Sequence, residues 1–222
     1  MIFFTNPEEI EKRSFEIISE KLADRKFEPQ NLNVIKRVIH TTADFDYADN
    51  LYFSENVVTI AQNALNNKAR IVTDTQMAKA GINKKALEKL CCSVYCFIDA
   101  PEVVKTSCEK SITRAQAAVD IAVETLSCAA PTGCGTNTTP VIFVIGNAPT
   151  ALIRLHELIN QGKFAPAMII AVPVGFVNVI ESKELIMGLN VPHIAAKGQK
   201  GGSNVAAAIC NALLYETTGR ML

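Results

Sequence analysis

A chain of 222 residues, 49% hydrophobic and 20% charged, can bury about 70% of its unfolded surface in a single domain, which excludes disorder and any need for a disulfide or metal staple. Lys plus Arg and Asp plus Glu both number 22 and cancel to zero net charge, so the basic excess of a dedicated nucleic-acid binder is absent. Strand-sized apolar runs, a polar Thr5-Asn6-Pro7-Glu8 directly after the opening residues, and seven cysteines of which only Cys91, Cys92 and Cys96 cluster lead us to expect no membrane span, no leader and a reducing, cytoplasmic setting.

Ile10, Phe15, Ile17, Ile18 and Leu22 recur near helical spacing among charged residues after Pro7, which predicts an amphipathic opening helix. Val34 to Ile39 reads as a helix or a short strand and runs into the polar cluster His40-Thr41-Thr42-Ala43-Asp44. Beyond it, short β-branched runs alternate with helical patterns. Strands are expected at Arg70 to Thr73, Val94 to Ile98, Val141 to Ile145, Met168 to Val172 and His193 to Ala196. Helices are expected at Pro101 to Cys108, Ile112 to Leu126, Thr150 to Gln161, Val179 to Met187 and Ser203 to Tyr215. The stretch Ser127 to Pro140, rich in Thr, Gly, Asn and Pro, reads as a flexible surface loop. The alternation predicts a three-layer α/β fold, a mainly parallel sheet flanked by helices on both faces. One domain is expected, with a mostly helical part over about residues 1–65 packed on an α/β core over 66–222.

In open parallel sheets ligands bind beyond the carboxyl ends of the strands. Gly146-Asn147-Ala148-Pro149-Thr150, Pro173-Val174-Gly175-Phe176 and Lys197 to Asn204 all follow strands. The last segment, KGQKGGSN, combines three glycines, two lysines and Ser203 at a helix start, the makings of an anion cradle; a tight strand-to-helix turn is the competing account. It lacks the spacing of a phosphate loop, and Gly133 to Gly135 precedes a strand rather than following one. Thr73-Asp74-Thr75 and Asp99 end strands and suit either a cleft or helix caps. Arg114 opens a helix, where a cation opposes the dipole, so a ligand or a surface ion pair is its expected partner. His40 is the residue suited to proton transfer near neutrality, with a buried structural histidine as the alternative; His156 and His193 fit a helix face and a core strand. No cysteine and histidine spacing matches a zinc site, and no protein-bound metal is expected.

Seven collinear blocks, NPEEIEKRSFEIISE, KRVIHTTADFDYAD, TDTQMAKAGINKK, ITRAQAAVDIA, GNAPTALIRLHELI, VPVGFVNVIESKE and KGQKGGSNVAAAICNALL, resemble the precorrin-8X methylmutase family, particularly its cobalt-precorrin-8 members from the anaerobic cobalamin route. Lys197, Gln199 and Asn178 depart from the usual pattern. The resemblance implies an isomerase that moves a methyl group from C-11 to C-12 of a modified tetrapyrrole to give cobyrinate or, without metal, hydrogenobyrinate. It implies no cofactor, any cobalt belonging to the substrate, and a cytoplasmic homodimer with its pocket near the subunit interface. The family's catalytic histidine maps onto His40. Its substrate-binding residues map onto Ser14, Thr73, Asp74, Thr75, Arg114, Gly146, Asn147, Lys200, Gly201, Gly202 and Ser203. A polycarboxylate on a flat apolar ring needs distributed anion sites and an apolar cleft, for which Met77, Val174 and Phe176 are candidates. The alternative is a corrinoid carrier that binds product without turnover, against which the intact HTTAD block argues.

Overall fold

The computed structural model describes residues 5–127 and 139–220. Within them the β-branched runs form one six-stranded sheet from β1 (Leu51–Phe53), β2 (Arg70–Thr73), β3 (Ser93–Tyr95), β4 (Val141–Ile145), β5 (Met168–Ala171) and β6 (His193–Ala196). Their order is β1-β6-β5-β4-β2-β3. Five strands run parallel, and β1 lies antiparallel on β6 with Leu51 opposite Ala196 and Phe53 opposite Ile194. Helices α1 (Pro7–Leu22), α2 (Pro29–Thr42), α3 (Tyr47–Asn50), α4 (Val57–Asn66), α5 (Gln76–Gly81) and α6 (Lys84–Lys89) come from the first half. The second half adds α7 (Pro101–Lys110), α8 (Arg114–Ser127), α9 (Pro149–Asn160), α10 (Val179–Met187) and α11 (Ser203–Thr218).

The inner strands β4, β5 and β6 are buried along their whole length because both faces of the sheet are covered there, whereas the edge strands β1 and β3 expose Tyr52 and Ser93. Ile142 and Val144 point into one core with residues of α2, α4 and α11, while Val141, Phe143 and Ile145 point into the other with residues of α8 and α9. The period of two along one strand thus divides its side chains between two layers. Helix α11 is the keel of the first layer: Val205, Ala206, Ala207, Ala208 and Ile209 are all buried, and its small side chains let α2, α4 and α5 pack closely against it.

The ambiguous stretch at residues 34–39 is helical. Val34, Ile35, Val38 and Ile39 are buried within α2, the i, i+1, i+4, i+5 pattern of one helix face. The strand expected at Val94 to Ile98 is shorter, because its one neighbour, β2, ends at Thr73, whose hydroxyl donates to the Tyr95 carbonyl at 3.3 Å. Phe97 and Ile98 turn away from the ladder and pack against the α8 side. Helices α3 and α4 fall in the part expected to be mostly helical, α4 with a buried stripe of Val57, Val58, Ala61, Ala64 and Leu65, whereas β1, α5 and α6 are short elements with no expectation of their own. Since β1 completes the sheet edge, the N-terminal part contributes a strand as well as helices to the core. Most of the loop expected at Ser127 to Pro140, and the Gly133 to Gly135 motif in it, lies outside the described residues.

Candidate active site

His40 sits in the last turn of α2, half-buried against α1. Its Nδ1 is 2.8 Å from the Ser14 hydroxyl, and its ring stacks on Phe15 with centroids 5.0 Å apart and planes inclined by 16°. Burial lowers the imidazole pKa below its ordinary value; the Arg37 guanidinium one turn earlier lowers it further, and Glu11 opposes both. The ring is therefore neutral at neutral pH in the free protein, with Ser14 fixing its orientation. Arg37 is itself buried between the Phe15 and Tyr215 rings, 4.7 and 5.1 Å from their centroids, and donates to Glu11 at 2.8 Å.

The other side of His40 opens onto a groove of about 400 Å³. Its walls are Ile10, Ile17, Ile18, Ile39 and Phe45, with Arg13 and Lys21 at the rim. A titratable imidazole thus faces an apolar, cation-edged surface. Phe176, Val174 and Met77 are not among its walls; they stand exposed at the ends of β5 and β2.

The strand-end segments join this groove through a chain of contacts. Lys200, after β6, donates to Asp44 at 2.5 Å and Asp46 at 2.7 Å, just beyond the end of α2. The Ser203 hydroxyl lies 2.8 Å from that of Thr75, which caps α5 by accepting from the Ala78 amide. Gln76 donates to Asp99, which also pairs with Arg114 at 3.7 Å. Lys200 thus ties the segment after β6 to the end of the His40 helix, and Ser203 ties it to Thr75, although none of Lys200, Ser203, Thr75 and Arg114 lines the groove itself. Arg114 has the ion-pair partner that its unfavourable helix position called for.

Four of the expected site residues, Thr73, Asp74, Gly146 and Asn147, are engaged within the protein itself. Asp74, 5% exposed, accepts from the amides of Gly146 at 3.0 Å, Asn147 at 2.7 Å and Ala148 at 2.8 Å. The crevice between β2 and β4, where the strand order reverses and an anion would ordinarily bind, is filled by the protein's own carboxylate. Burial raises the Asp74 pKa despite the three opposing donors. The backbone amides of Gly146 and Asn147 are thus committed. Thr73 is buried, with its hydroxyl donating to the carbonyls of Thr75 and Tyr95, so it shapes the segment from inside. Gly201 and Gly202 pass so close to the end of β5 that a Cβ on Gly201 would meet the Val172 and Pro173 carbonyls; the Gly202 amide donates to the Val172 carbonyl at 2.9 Å.

Residues 9–216 match the model of a family described as precorrin-8X methylmutase. The chain belongs to the precorrin-8X methylmutase family. It is 44% identical to the cobalt-precorrin-8 methylmutase of Salmonella typhimurium, covering 97% of this chain and 98% of that one. It is 38% identical to the cobalt-precorrin-8 methylmutase of Leptospira interrogans, over 95% and 94%. The crystal structure of the precorrin-8X methylmutase from Thermus thermophilus superposes with a TM-score of 0.84 at 36% identity, over 97% and 98%. The α/β architecture is thus that of a solved methylmutase.

Sequence reasoning missed several residues that shape this methylmutase-family site. Phe15 and Glu11 reach His40 from α1, too distant in the sequence to give a joint signal, and Arg37, one turn before His40 on α2, reads as an ordinary surface cation until the fold buries it. Lys183 did leave one: Val179, Ser182, Lys183 and Ile186 are the buried face of α10, so a lysine occupies an apolar helical stripe. Its ammonium donates to the carbonyls of Gly198 and Lys200 at 2.8 Å each. Among the described residues, no group of three or more His, Cys, Asp or Glu is placed to hold a metal ion, and no helix is long and apolar enough to cross a membrane.

Proposed function

We propose that the chain is an isomerase of cobalamin biosynthesis that moves a methyl group from C-11 to C-12 of cobalt-precorrin-8, giving cobyrinate, with His40 as its acid. The observation that carries the reading is a half-buried imidazole, oriented by Ser14, facing an open apolar groove. The macrocycle lays its face against Ile10, Ile17 and Phe45, and its carboxylates meet the cations of the rim and the loop after β6. A polyanion beside His40 favours its protonated form, so substrate binding recharges a ring that is neutral in the free protein. The imidazolium then donates a proton or a strong hydrogen bond to the conjugated ring, lowering the barrier to migration. The C-11 to methyl bond breaks as the C-12 to methyl bond forms, so substrate and product are isomers and the reaction consumes neither a methyl donor nor a redox cofactor. The names of the relatives support cobalt in the substrate, where it belongs to the pigment rather than to the protein.

A groove of about 400 Å³ is at the small end of ligand sites and covers only part of a tetrapyrrole. A second copy of the chain completes the site. Phe176 and Val177, 87% and 76% exposed, support this, being an apolar tip that calls for cover. The free thiols of Cys91, Cys92, Cys96, Cys108 and Cys210 suit a cytoplasmic home.

Anaerobic incubation with cobalt-precorrin-8 and with its metal-free counterpart, followed by visible spectroscopy, tests the reading because the chromophore reports its own isomerisation. Turnover well beyond one equivalent is expected, and His40→Ala should bind substrate while losing about 10²-fold or more in kcat. A stable one-to-one complex without isomerisation, or undiminished turnover by His40→Ala, would contradict it.

A further inference from the structure

Lys183 is 1% exposed, and among the described residues no carboxylate pairs with it. A buried ammonium without a counter-ion is a costly arrangement. Two carbonyls, those of Gly198 and Lys200, satisfy two of its three donors; they offer dipoles, not charge. Both belong to the glycine-rich segment after β6, whose next residues are Gly201, Gly202 and Ser203 at the start of α11. The segment is therefore held from beneath by Lys183 and from its flank by Lys200, which reaches Asp44 and Asp46 beside the His40 helix.

We infer that Lys183 is a positioning residue whose buried charge fixes the 197–202 segment and is balanced, when ligand binds, by a carboxylate of the tetrapyrrole on the segment's outer side. The inference rests on the reading of this chain as a methylmutase acting on a polycarboxylate. It extends that reading by assigning an anion-attracting role to a lysine that never touches the substrate.

The ionisation of Lys183 fits the geometry. Burial brings its pKa down to about 8. Helix α9, packed against α10, carries Arg154, His156 and Glu157, and α10 itself carries Glu181 and Glu184. His193 lies on β6, and Lys197 and Lys200 lie in the segment above. None of these charges contributes to the shift, for which burial is the sole cause. The ammonium is thus close to losing its proton in the free protein, and an anion across the segment raises its affinity for that proton. By linkage, the ligand binds more tightly to the protonated form.

The test is equilibrium binding of cobyrinate, followed by its visible spectrum from pH 7 to 10, for the wild type, Lys183→Met and Lys183→Gln. Methionine keeps the volume and removes a buried charge; glutamine keeps a donor for the carbonyls but carries no charge. The ligand's carboxylates are ionised throughout this range, so its own titration is silent. The wild-type dissociation constant should rise about tenfold as the pH passes above 8, one unit of pKa coupling being one decade of affinity. Both variants should bind about tenfold more weakly at pH 7 and show a flat profile, with folding verified by circular dichroism. If Lys183→Gln keeps the wild-type affinity and slope, or Lys183→Met binds as the wild type does, the charge plays no such part and the inference falls while the functional reading stands. Failure of the wild type to bind cobyrinate would remove the reading and the inference together.

Discussion

Asp74 is the carboxylate on which the strand-end architecture depends, and replacing it has a calculable effect. Asp74→Ala strips acceptors from three amides at once. A hydrogen bond to a charged acceptor contributes about 1.5–3 kcal/mol net, so three independent bonds would sum to about 4.5–9 kcal/mol. Two effects reduce that figure. The carboxylate is buried at a cost, visible as its raised pKa, and Asn147 is exposed, so water can reach its freed amide. The Gly146 amide belongs to a buried residue and has no such recourse. We expect a loss of about 3–4 kcal/mol for Asp74→Ala, and about 2 kcal/mol for Asp74→Asn, which retains one oxygen but sets an NH2 against one donor. For a chain of this size each kcal/mol lowers Tm by about 2–4 °C. Urea unfolding and thermal melts at pH 7 measure both values. The vacated amides at the start of α9 would form an anion site, so millimolar acetate should stabilise Asp74→Ala and leave the wild type unchanged. An Asp74→Ala variant within about 0.5 kcal/mol of wild type, or acetate stabilising both proteins alike, would refute the reasoning.

The buried His193 bears on acid stability. Its ring is held by the Val191 carbonyl at 2.7 Å, and burial lowers its pKa. The unfolded chain binds the proton first as pH falls below about 6.5, so native stability should drop from there downward; His193→Asn, which retains a donor for Val191, should show a shallower fall in Tm between pH 6.5 and 5 than the wild type, and equal slopes would count against this account. Two glycines of one segment should respond oppositely to alanine. Gly201→Ala drives a Cβ into the Val172 and Pro173 carbonyls and should abolish binding and lower Tm sharply, whereas Gly198→Ala, at φ 74° with open space around it, should cost only about 1 kcal/mol of backbone strain. Similar melting curves for the two variants would show that the segment can move away from β5.

Strands β4 and β5 are legible as continuous apolar runs because both of their faces are buried, whereas the edge strand β3 is exposed at Ser93 and ends three residues before the expected Ile98. Val141 to Ile145 and Arg70 to Thr73 were located to the residue. Strand β1 was not, because three residues pair only where β6 offers a free edge, and an edge is a property of the assembled sheet. Helix α2 was ambiguous for a related reason: Val34 to Ile39 satisfies two periods locally, and packing against α11 selects one.

The motif blocks were equally explicit about family and about His40, since a polar HTTAD cluster and a glycine-rich strand end are chemical statements made by adjacent residues. Their employment was another matter. Asp74 and the Gly146 amides read as two ligand-facing features, yet they satisfy each other across 72 residues of chain; a buried carboxylate and orphan amides at a helix start pair wherever the fold brings them within reach. The groove beside His40 likewise exists only because α1 lies along α2, and the low basicity of its imidazole comes from burial and from Arg37. Residue identity and spacing carry the chemistry available to a chain, because they are local. Which groups are spent on one another and which are left to face a ligand depends on distances across space, and those arise only when the layers close.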